Sequence, residues 1–148
     1  MAQSLSKVYL HYVFSVKNRE NTISKIIQNK LHSFIVGVYA NLGSYVAEIY
    51  ANSDHIHILC TLPRTITIAD LISKVKSASS KWMKKNGVPD FTWQNGYGVF
   101  SVSSSKLETV KKYIQNQEQH HKKMTFKEEF RLFLKKYNVE YDEKYVWD

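Results

Sequence analysis

The chain has a single cysteine, two prolines and five glycines among its 148 residues. One thiol cannot form an internal disulfide, and alone it cannot build a metal site made of thiolates. The first seven residues contain no apolar stretch of the signal-peptide type, and nowhere do about twenty apolar residues follow one another. These absences predict a protein of the reducing cytoplasm that is neither exported nor embedded in a membrane.

Apolar and positively charged residues are plentiful. Hydrophobic residues make up 43% of the chain and aromatic residues 14%, which is enough to bury a core and excludes a disordered chain. A length of 148 residues fits one domain, residues 1–148. Lysine and arginine number 21 against 13 acidic residues, so the net charge is +8. This excess favours a polyanionic partner such as nucleic acid, although charge alone fits an ordinary basic protein equally well.

The hydrophobic periodicity predicts one α+β domain. Alternating apolar residues predict strands over residues 7–16, 45–50, 55–62 and 96–103. Helical spacing predicts one helix over 26–42 and three more that begin near Thr67, Ser105 and Thr125, each with an acidic residue three positions later as in a capping box. The order strand, helix, strand, strand, helix, strand matches the ferredoxin-like (βαββαβ, RRM-like) fold, a four-stranded antiparallel sheet here followed by additional C-terminal helices.

Two histidines lie on one face of the third predicted strand, in the segment Asp54-His55-Ile56-His57-Ile58. Successive side chains of a strand point to opposite faces, so His55 and His57 share a side, with Cα atoms about 6.5 Å apart. Both imidazoles can then bind one metal ion at roughly 2.1 Å. In isolation such a pair is more often two partly buried histidines on a wet sheet face, so a third group has to support a metal site.

The third predicted helix supplies candidates for that group. Tyr113 and Gln117 are four residues apart and therefore lie on one helical stripe. A glutamine oxygen suits Mg²⁺ or Mn²⁺, and a tyrosine hydroxyl one turn away can attack a phosphorus atom whose oxygen the ion polarises. Several alternatives stay open: Tyr97 and Tyr137 rival Tyr113 as nucleophile, His121 extends the stripe as an alternative third ligand, and the tandem His120-His121 can instead contact phosphate.

These motifs resemble those of the single-tyrosine transposases of the HUH superfamily, the IS200-like transposases of the insertion sequence 200/605 group. His55-Ile56-His57 is similar to the HUH motif, and Tyr113 followed by Gln117 is similar to the nucleophile helix. The similarity extends through residues 11–20, 76–85, 93–105 and 126–148, and so over nearly the whole chain. The resemblance implies that His55, His57 and Gln117 bind a divalent Mg²⁺ or Mn²⁺ ion and that Tyr113 is the nucleophile.

The same resemblance implies a reaction and an assembly. The tyrosine of such enzymes attacks a DNA phosphate, becomes joined to the 5′ side and releases a 3′ hydroxyl, which later reverses the reaction on another strand. The chain is therefore expected to be the DNA transposase of a mobile element, acting on single-stranded DNA with hairpin-bearing ends, as a homodimer. Tyr113 can act in its own subunit or in the partner's, and Tyr145-Val146-Trp147 is a candidate subunit contact or a part of the chain's own core.

Basic and aromatic residues supply candidate DNA contacts. Lysines on the second predicted helix and on the nucleophile helix form candidate phosphate tracks beside the presumed site, although a solvated helix face is the simpler interpretation of any one of them. These lysines are Lys74, Lys76, Lys81, Lys84, Lys85, Lys111 and Lys112. Trp82, Trp93, Tyr97 and Phe100 are candidates for stacking on unpaired bases, although core packing is the commoner role of such residues.

Three other functions fit parts of the sequence. A domesticated relative would cut or bind DNA hairpins with the same chemistry but without serving a mobile element. A non-catalytic nucleic-acid-binding module on a ferredoxin-like sheet would explain charge and fold, but it would leave the histidines, Gln117 and Tyr113 without a purpose. A metal-dependent phosphodiesterase would use water in place of tyrosine and form no covalent protein–DNA adduct.

Overall fold

A four-stranded antiparallel sheet and five α-helices make up the computed structural model, which describes residues 2–148. In chain order the elements are β1 (Tyr9–Ser15), α1 (Lys25–Asn41), β2 (Val46–Ala51), β3 (His55–Thr61), α2 (Ile68–Lys85), β4 (Gly98–Val102), α3 (Leu107–Gln115), α4 (Gln117–His120) and α5 (Phe126–Lys136). The strand order is β2-β3-β1-β4 with antiparallel neighbours, which confirms the predicted ferredoxin-like fold and its extra helices. Within residues 2–148 no helix is long and apolar enough to cross a membrane.

Helices cover both faces of the sheet. On one face, Tyr12 of β1 and the isoleucines Ile56 and Ile58 of β3 pack under α1 and α2 in the main core. The alternate residues of the same strands point to the opposite face. Among them are Val13 of β1 and His57 of β3, which are paired in the sheet. The C-terminal helices α3 and α5 cover this second face through two smaller apolar clusters. The period of two in the central strands therefore separates an apolar layer from a layer that holds the buried histidines.

Two helices begin at the predicted caps. Thr67 Oγ1 accepts a hydrogen bond from the backbone N–H of Asp70 at 3.0 Å, at the start of α2. Thr125 Oγ1 accepts one from the backbone N–H of Glu128 at 3.2 Å, at the start of α5. The first N–H groups of a helix have no partner within the helix, so each hydroxyl satisfies a donor that would otherwise be left unpaired.

The third predicted helix differs from its prediction at both ends. The capping box proposed for Ser105 and Glu108 is wrong, because residues 104–106 form a short 3₁₀ turn and α3 begins at Leu107 without a side-chain cap. The Ser105 hydroxyl instead lies 3.1 Å from the Ser103 hydroxyl. The helix also breaks at Asn116, so that α3 and the short α4 replace one continuous helix.

The C-terminal residues pack on the chain itself. Val146 and Trp147 join the apolar cluster that α5 forms on the sheet. The backbone carbonyl of Trp147 accepts a hydrogen bond from the Arg19 guanidinium at 2.7 Å, and the carbonyl of Asp148 accepts one from the N–H of Gly96 at 2.8 Å. Of the aromatic segment considered for a subunit contact, Tyr145 is exposed and the next two residues contribute to the core.

Lys76 is held inside the fold rather than extended into solvent. Its ammonium donates hydrogen bonds to the backbone carbonyls of Gln94, Asn95 and Gly96, at 2.8, 3.2 and 2.6 Å, and lies 5.1 Å from the centre of the Phe14 ring. Burial lowers the pKa of Lys76 to about 8. The three carbonyls oppose the effect of burial, because they favour the charged ammonium. Lys76 thus ties α2 to the segment that leads into β4.

Replacing Lys76 with methionine should lower the free energy of unfolding by about 1.5–3 kcal/mol, because three carbonyls lose a charged donor. Lys74 is exposed on the same helix, and Lys74→Met is the matched control, with an expected change below about 0.5 kcal/mol. Urea denaturation of both variants measures the difference. Equal effects of the two substitutions would contradict a structural role for Lys76.

Candidate metal and nucleophile site

The two strand histidines lie on the face covered by the C-terminal helices. His55 and His57 are both 0% exposed, and their ring centroids are 5.3 Å apart. His55 Nδ1 lies 2.7 Å from Asp54 Oδ1, and His57 Nδ1 lies 2.8 Å from His11 Nε2. These contacts fix one nitrogen of each ring and leave the two Nε2 atoms to face the interior of the site. A histidine that binds a metal is commonly oriented in this way through its other nitrogen.

A buried carboxylate from α5, that of Glu129, contacts three imidazoles. Its Oε1 atom lies 2.9 Å from His57 Nε2, 3.1 Å from His121 Nε2 and 3.4 Å from His55 Nε2, and the residue is 1% exposed. The four ligand atoms of this set lie within 4.8 Å of one another. Imidazole nitrogens and a carboxylate oxygen are ordinary ligands of divalent ions, so the residues present fit a metal.

The second oxygen of Glu129 faces the predicted nucleophile helix. Glu129 Oε2 accepts hydrogen bonds from the Tyr113 hydroxyl and, at 3.2 Å, from Gln117 Nε2. Gln117 Oε1 accepts a hydrogen bond from Asn52 Nδ2 at 3.1 Å, so the buried amide of Gln117 is held at both ends. Tyr113 and Gln117 therefore face the same way despite the helix break between them, and the phenol reaches the histidine cluster of its own chain.

Burial and charge shift the pKa values of the acidic groups strongly. Burial alone would raise the pKa of Glu129, but the surrounding imidazoles, His57 foremost, outweigh it and hold that pKa well below its usual range. Burial and then the negative charge of Glu129 both raise the pKa of Tyr113 far above its usual value. In this arrangement the phenol keeps its proton at neutral pH and donates a hydrogen bond to the carboxylate.

The buried histidines differ in their protonation. Burial lowers the pKa of His57, and Glu129 only partly offsets this effect. Burial lowers the pKa of His11 well below its ordinary value, and His57 lowers it further. Burial would also lower the pKa of His55, but its hydrogen bonds to Asp54 and Glu129 outweigh burial and raise it. His11 and His57 are therefore neutral at physiological pH, the form in which an imidazole can bind a metal.

The α2 lysines do not lie near this cluster. Helix α2 covers the opposite face of the sheet, where Leu71 and Val75 pack into the main core. On that side Lys76 is tied to three carbonyls, and Lys74, Lys81, Lys84 and Lys85 are exposed. On α3, beside Tyr113, Lys112 is exposed and half-buried Lys111 lies 3.7 Å from Glu108 in an ion pair.

The aromatic residues considered for base stacking belong to the packed interior. Trp93 and Phe100 are buried, at 4% and 3% exposed. Trp82 stacks on Phe34 of α1 with ring centroids 5.5 Å apart. The ring centroid of Tyr97 lies 6.0 Å from that of Tyr12 in the main core. The hydroxyl of Tyr137, the rival nucleophile, donates a hydrogen bond to the backbone carbonyl of Ser101 at 3.2 Å. Of the three tyrosines considered, Tyr113 is the one whose hydroxyl meets the histidine–carboxylate cluster.

Sequence comparison assigns the chain to a family. The family model described as "Transposase IS200 like" matches residues 4–117, more than half of the chain, and the protein belongs to this family. The ISDra2 transposase TnpA of Deinococcus radiodurans is 24% identical over 114 residues, which cover 72% of this chain and 81% of that protein. Family membership makes the protein a DNA transposase, and this class of DNA-cleaving enzyme is the one that the resemblance of the histidine and tyrosine motifs implied.

Solved structures share the fold. A protein of Deinococcus radiodurans R1 assigned as a transposase has a TM-score of 0.63 and 20% identity, covering 79% of this chain and 98% of that chain. A REP-associated tyrosine transposase bound to a REP hairpin has a TM-score of 0.60 and 14% identity, covering 82% of this chain and 73% of its own. The family match ends at residue 117, so His121 and Glu129 lie beyond it.

Sequence reasoning missed Glu129 and the role of His11. One signal for Glu129 was available, because it follows Phe126 by three positions and precedes Phe133 by four, on the apolar face of α5. A carboxylate on such a face is rarely buried without a partner, so it indicates a buried polar contact. His11 carried no comparable signal, since its contact with His57 depends on the register between β1 and β3.

His11→Gln should make stability less sensitive to acid. The folded pKa of His11 lies below that of the unfolded chain, ~6.5, so the unfolded state takes up this proton first as the pH falls, and stability is lost below about pH 6.5. Glutamine cannot take up that proton. Between pH 7 and pH 5 the variant should lose about 1–2 kcal/mol less unfolding free energy than the unsubstituted protein, as measured by urea denaturation at each pH. Identical losses would contradict a buried neutral His11.

Proposed function

We propose that the protein cuts and rejoins single-stranded DNA with Tyr113 as nucleophile and with a divalent metal ion held by His55 and His57. One observation carries the proposal: the Tyr113 hydroxyl donates to Glu129, whose other oxygen contacts His55 and His57. A nucleophile and two metal-binding imidazoles thus surround one carboxylate, in a chain of a transposase family. We propose further that residues 1–148 form one HUH tyrosine transposase domain.

The cutting step joins the phenol oxygen of Tyr113 to a DNA phosphorus atom and breaks the bond from that phosphorus to the 3′ oxygen. The phenol gives up its proton and the departing 3′ oxygen takes one up, so the products are a 5′-phosphotyrosine and a 3′ hydroxyl. Attack of a 3′ hydroxyl on the phosphotyrosine is the reverse reaction and releases the tyrosine. Because the covalent adduct conserves the phosphodiester bond energy, the cycle needs no nucleotide cofactor.

The residues around Tyr113 prepare it for this step. Glu129 orients the hydroxyl, but its negative charge also disfavours the phenolate and raises the pKa of Tyr113. A bound Mg²⁺ or Mn²⁺ ion would offset that charge and polarise a phosphate oxygen. Gln117 is proposed as the third ligand in the complex with DNA, since it is buried beside Glu129 and rotation of its amide exchanges the oxygen and nitrogen positions.

A cleft beside the cluster is the proposed path for the DNA strand. It has a volume of about 870 Å³ and is lined by His121 of the cluster, by three lysines and by three acidic residues: Lys25, Lys122, Lys123, Asp54, Glu118 and Glu128. These ammonium groups would provide phosphate contacts for a single strand that passes His121. Tyr113 lines a second pocket, of about 380 Å³, together with Glu129 and Lys136. On this proposal Lys111 and Lys112 extend the basic surface along α3. The exposed lysines of α2 would contact DNA only away from the cut, because they lie across the sheet.

The likeness to a transposase solved with a REP hairpin supports a hairpin-bearing single strand as the substrate. We propose a homodimer as the assembly, as in the family that the sequence resembles. Tyr113 contacts Glu129 of its own chain, so each subunit of such a dimer would hold a complete site.

Tyr113→Phe should abolish the covalent adduct and leave DNA binding intact. The protein is incubated with a labelled hairpin-bearing single strand and Mn²⁺ or Mg²⁺, and a denaturing gel shows whether DNA stays attached to protein. We expect an adduct with the unsubstituted chain and less than about 1% of it with the variant, because phenylalanine lacks the attacking oxygen. A gel-shift assay should give equal binding for both proteins.

Tyr137→Phe is the control, since the Tyr137 hydroxyl bonds a backbone carbonyl away from the cluster. It should form the adduct at the normal level. An adduct that persists in Tyr113→Phe would overturn the assignment of the nucleophile. Cleaved strands without any adduct would instead support a phosphodiesterase that uses water.

A further inference from the structure

We infer that, in the absence of DNA, His121 and Glu129 join His55 and His57 as metal ligands in a four-coordinate site that prefers Zn²⁺ or Co²⁺ to Mg²⁺. The inference rests on the proposed function in one respect, that a metal ion binds between the two strand histidines. The other two ligands, His121 and Glu129, lie outside residues 4–117, which the family model matches, and are assigned from the geometry of this structure.

The spacing of the ligand atoms fits one small ion. Glu129 Oε1 lies 2.9–3.4 Å from the Nε2 atoms of His55, His57 and His121, and the four atoms are within 4.8 Å of one another. Four atoms bound tetrahedrally at roughly 2.1 Å from an ion are about 3.4 Å apart. Side-chain movements of about 1 Å or less would therefore bring all four atoms to bonding distance.

The chemistry of the donors selects the ion. Three imidazole nitrogens and one carboxylate oxygen suit zinc, cobalt and their neighbours in the transition series. Magnesium prefers six oxygen ligands in an octahedron and usually keeps several water molecules. His55 and His57 are 0% exposed and Glu129 is 1% exposed, so the interior of the cluster offers little room for such a hydrated ion.

Contacts outside the ligand set hold three of the four ligands in place. Asp54 fixes the ring of His55 and His11 fixes the ring of His57, each through the nitrogen that does not face the cluster. Gln117 donates to the Glu129 oxygen that is not shared with the imidazoles, at 3.2 Å. Ligands that are already oriented lose less freedom on binding, and such supporting residues commonly contribute 10-fold or more to affinity. In this state Gln117 is a positioning residue.

Cobalt provides a direct measurement of both the geometry and the ligands. The full chain is treated with a chelator and then titrated with Co²⁺ without DNA, while visible absorption is recorded. Tetrahedral Co²⁺ absorbs visible light far more strongly than octahedral Co²⁺. We expect one strongly absorbing Co²⁺ per chain, displaced by an equal amount of Zn²⁺ but retained in about a 100-fold excess of Mg²⁺.

Substitutions of neighbouring residues of the same type distinguish the metal ligands from residues that do not bind the metal. His121→Gln and Glu129→Gln should each weaken Co²⁺ binding by about 10-fold or more and reduce the tetrahedral absorption. His120→Gln and Glu128→Gln change the same residue types one position earlier and should bind Co²⁺ like the unsubstituted chain. Circular dichroism checks the fold of each variant. If Glu129→Gln fails to fold, His121→Gln still decides the question, since the His121 side chain keeps 15% of its surface exposed and follows a short helix, where a glutamine is easier to accommodate.

The outcomes separate this inference from the proposed function. Weak octahedral absorption, or unchanged affinity in His121→Gln, would overturn the four-ligand site. If His55→Ala then still abolished Co²⁺ binding, the metal would bind at the strand histidines as proposed. The Tyr113 adduct is measured independently, so its loss or persistence does not depend on the cobalt result.

Discussion

The arrangement of the site depends on one buried carboxylate. Removing the charge of Glu129 from water is costly unless it is paired and hydrogen-bonded, and here its two oxygens are satisfied by imidazoles, a phenol and an amide. These groups come from β3, α3, α4 and His121, the residue that follows α4, whereas Glu129 comes from α5. Phe126 and Phe130 supply apolar area that docks α5 on the sheet, and in this position the Glu129 carboxylate contacts His57, His121 and Tyr113. The C-terminal helices are therefore part of the site as well as its cover.

The same carboxylate contacts both the proposed nucleophile and the proposed metal ligands. Its negative charge stabilises the protonated phenol of Tyr113, and its contacts with His55 and His57 join that charge to the proposed metal site. A cation bound between the histidines would be separated from the phenol only by the Glu129 carboxyl group. At so short a distance in a buried site, its charge would strongly favour the phenolate. On this proposal, binding of an ion would lower the pKa of Tyr113 without any large movement of the chain.

Features that depend on local spacing could be predicted from the sequence, and those that depend on docking could not. The strand pattern around His57 and the four-residue spacing of Tyr113 and Gln117 are local, and both sets of side chains face as predicted. Glu129 escaped prediction because only the docking of α5 brings it to the histidines. The contact between His11 and His57 escaped because it requires the register of β1 against β3.

The position of the α2 lysines could have been deduced. In this fold α1 and α2, the helices that connect the strands, cover one face of the sheet. The apolar face of β3, with Ile56 and Ile58, has to lie under them. The histidine face must then be the other one. The incorrect capping box at Ser105 has a different cause. The Ser105 hydroxyl pairs with the Ser103 hydroxyl in a 3₁₀ turn before α3, so it does not cap the helix. The spacing of Ser105 and Glu108 alone does not reveal this competing hydrogen bond.

The most direct test of the account is to locate the ion by anomalous diffraction from crystals grown with Mn²⁺. We expect one ion per chain at about 2.0–2.3 Å from the Nε2 atoms of both His55 and His57, with the Tyr113 hydroxyl of the same chain beside the cluster. An ion bound away from these two imidazoles, or a Tyr113 side chain turned out of the site in every subunit, would contradict it.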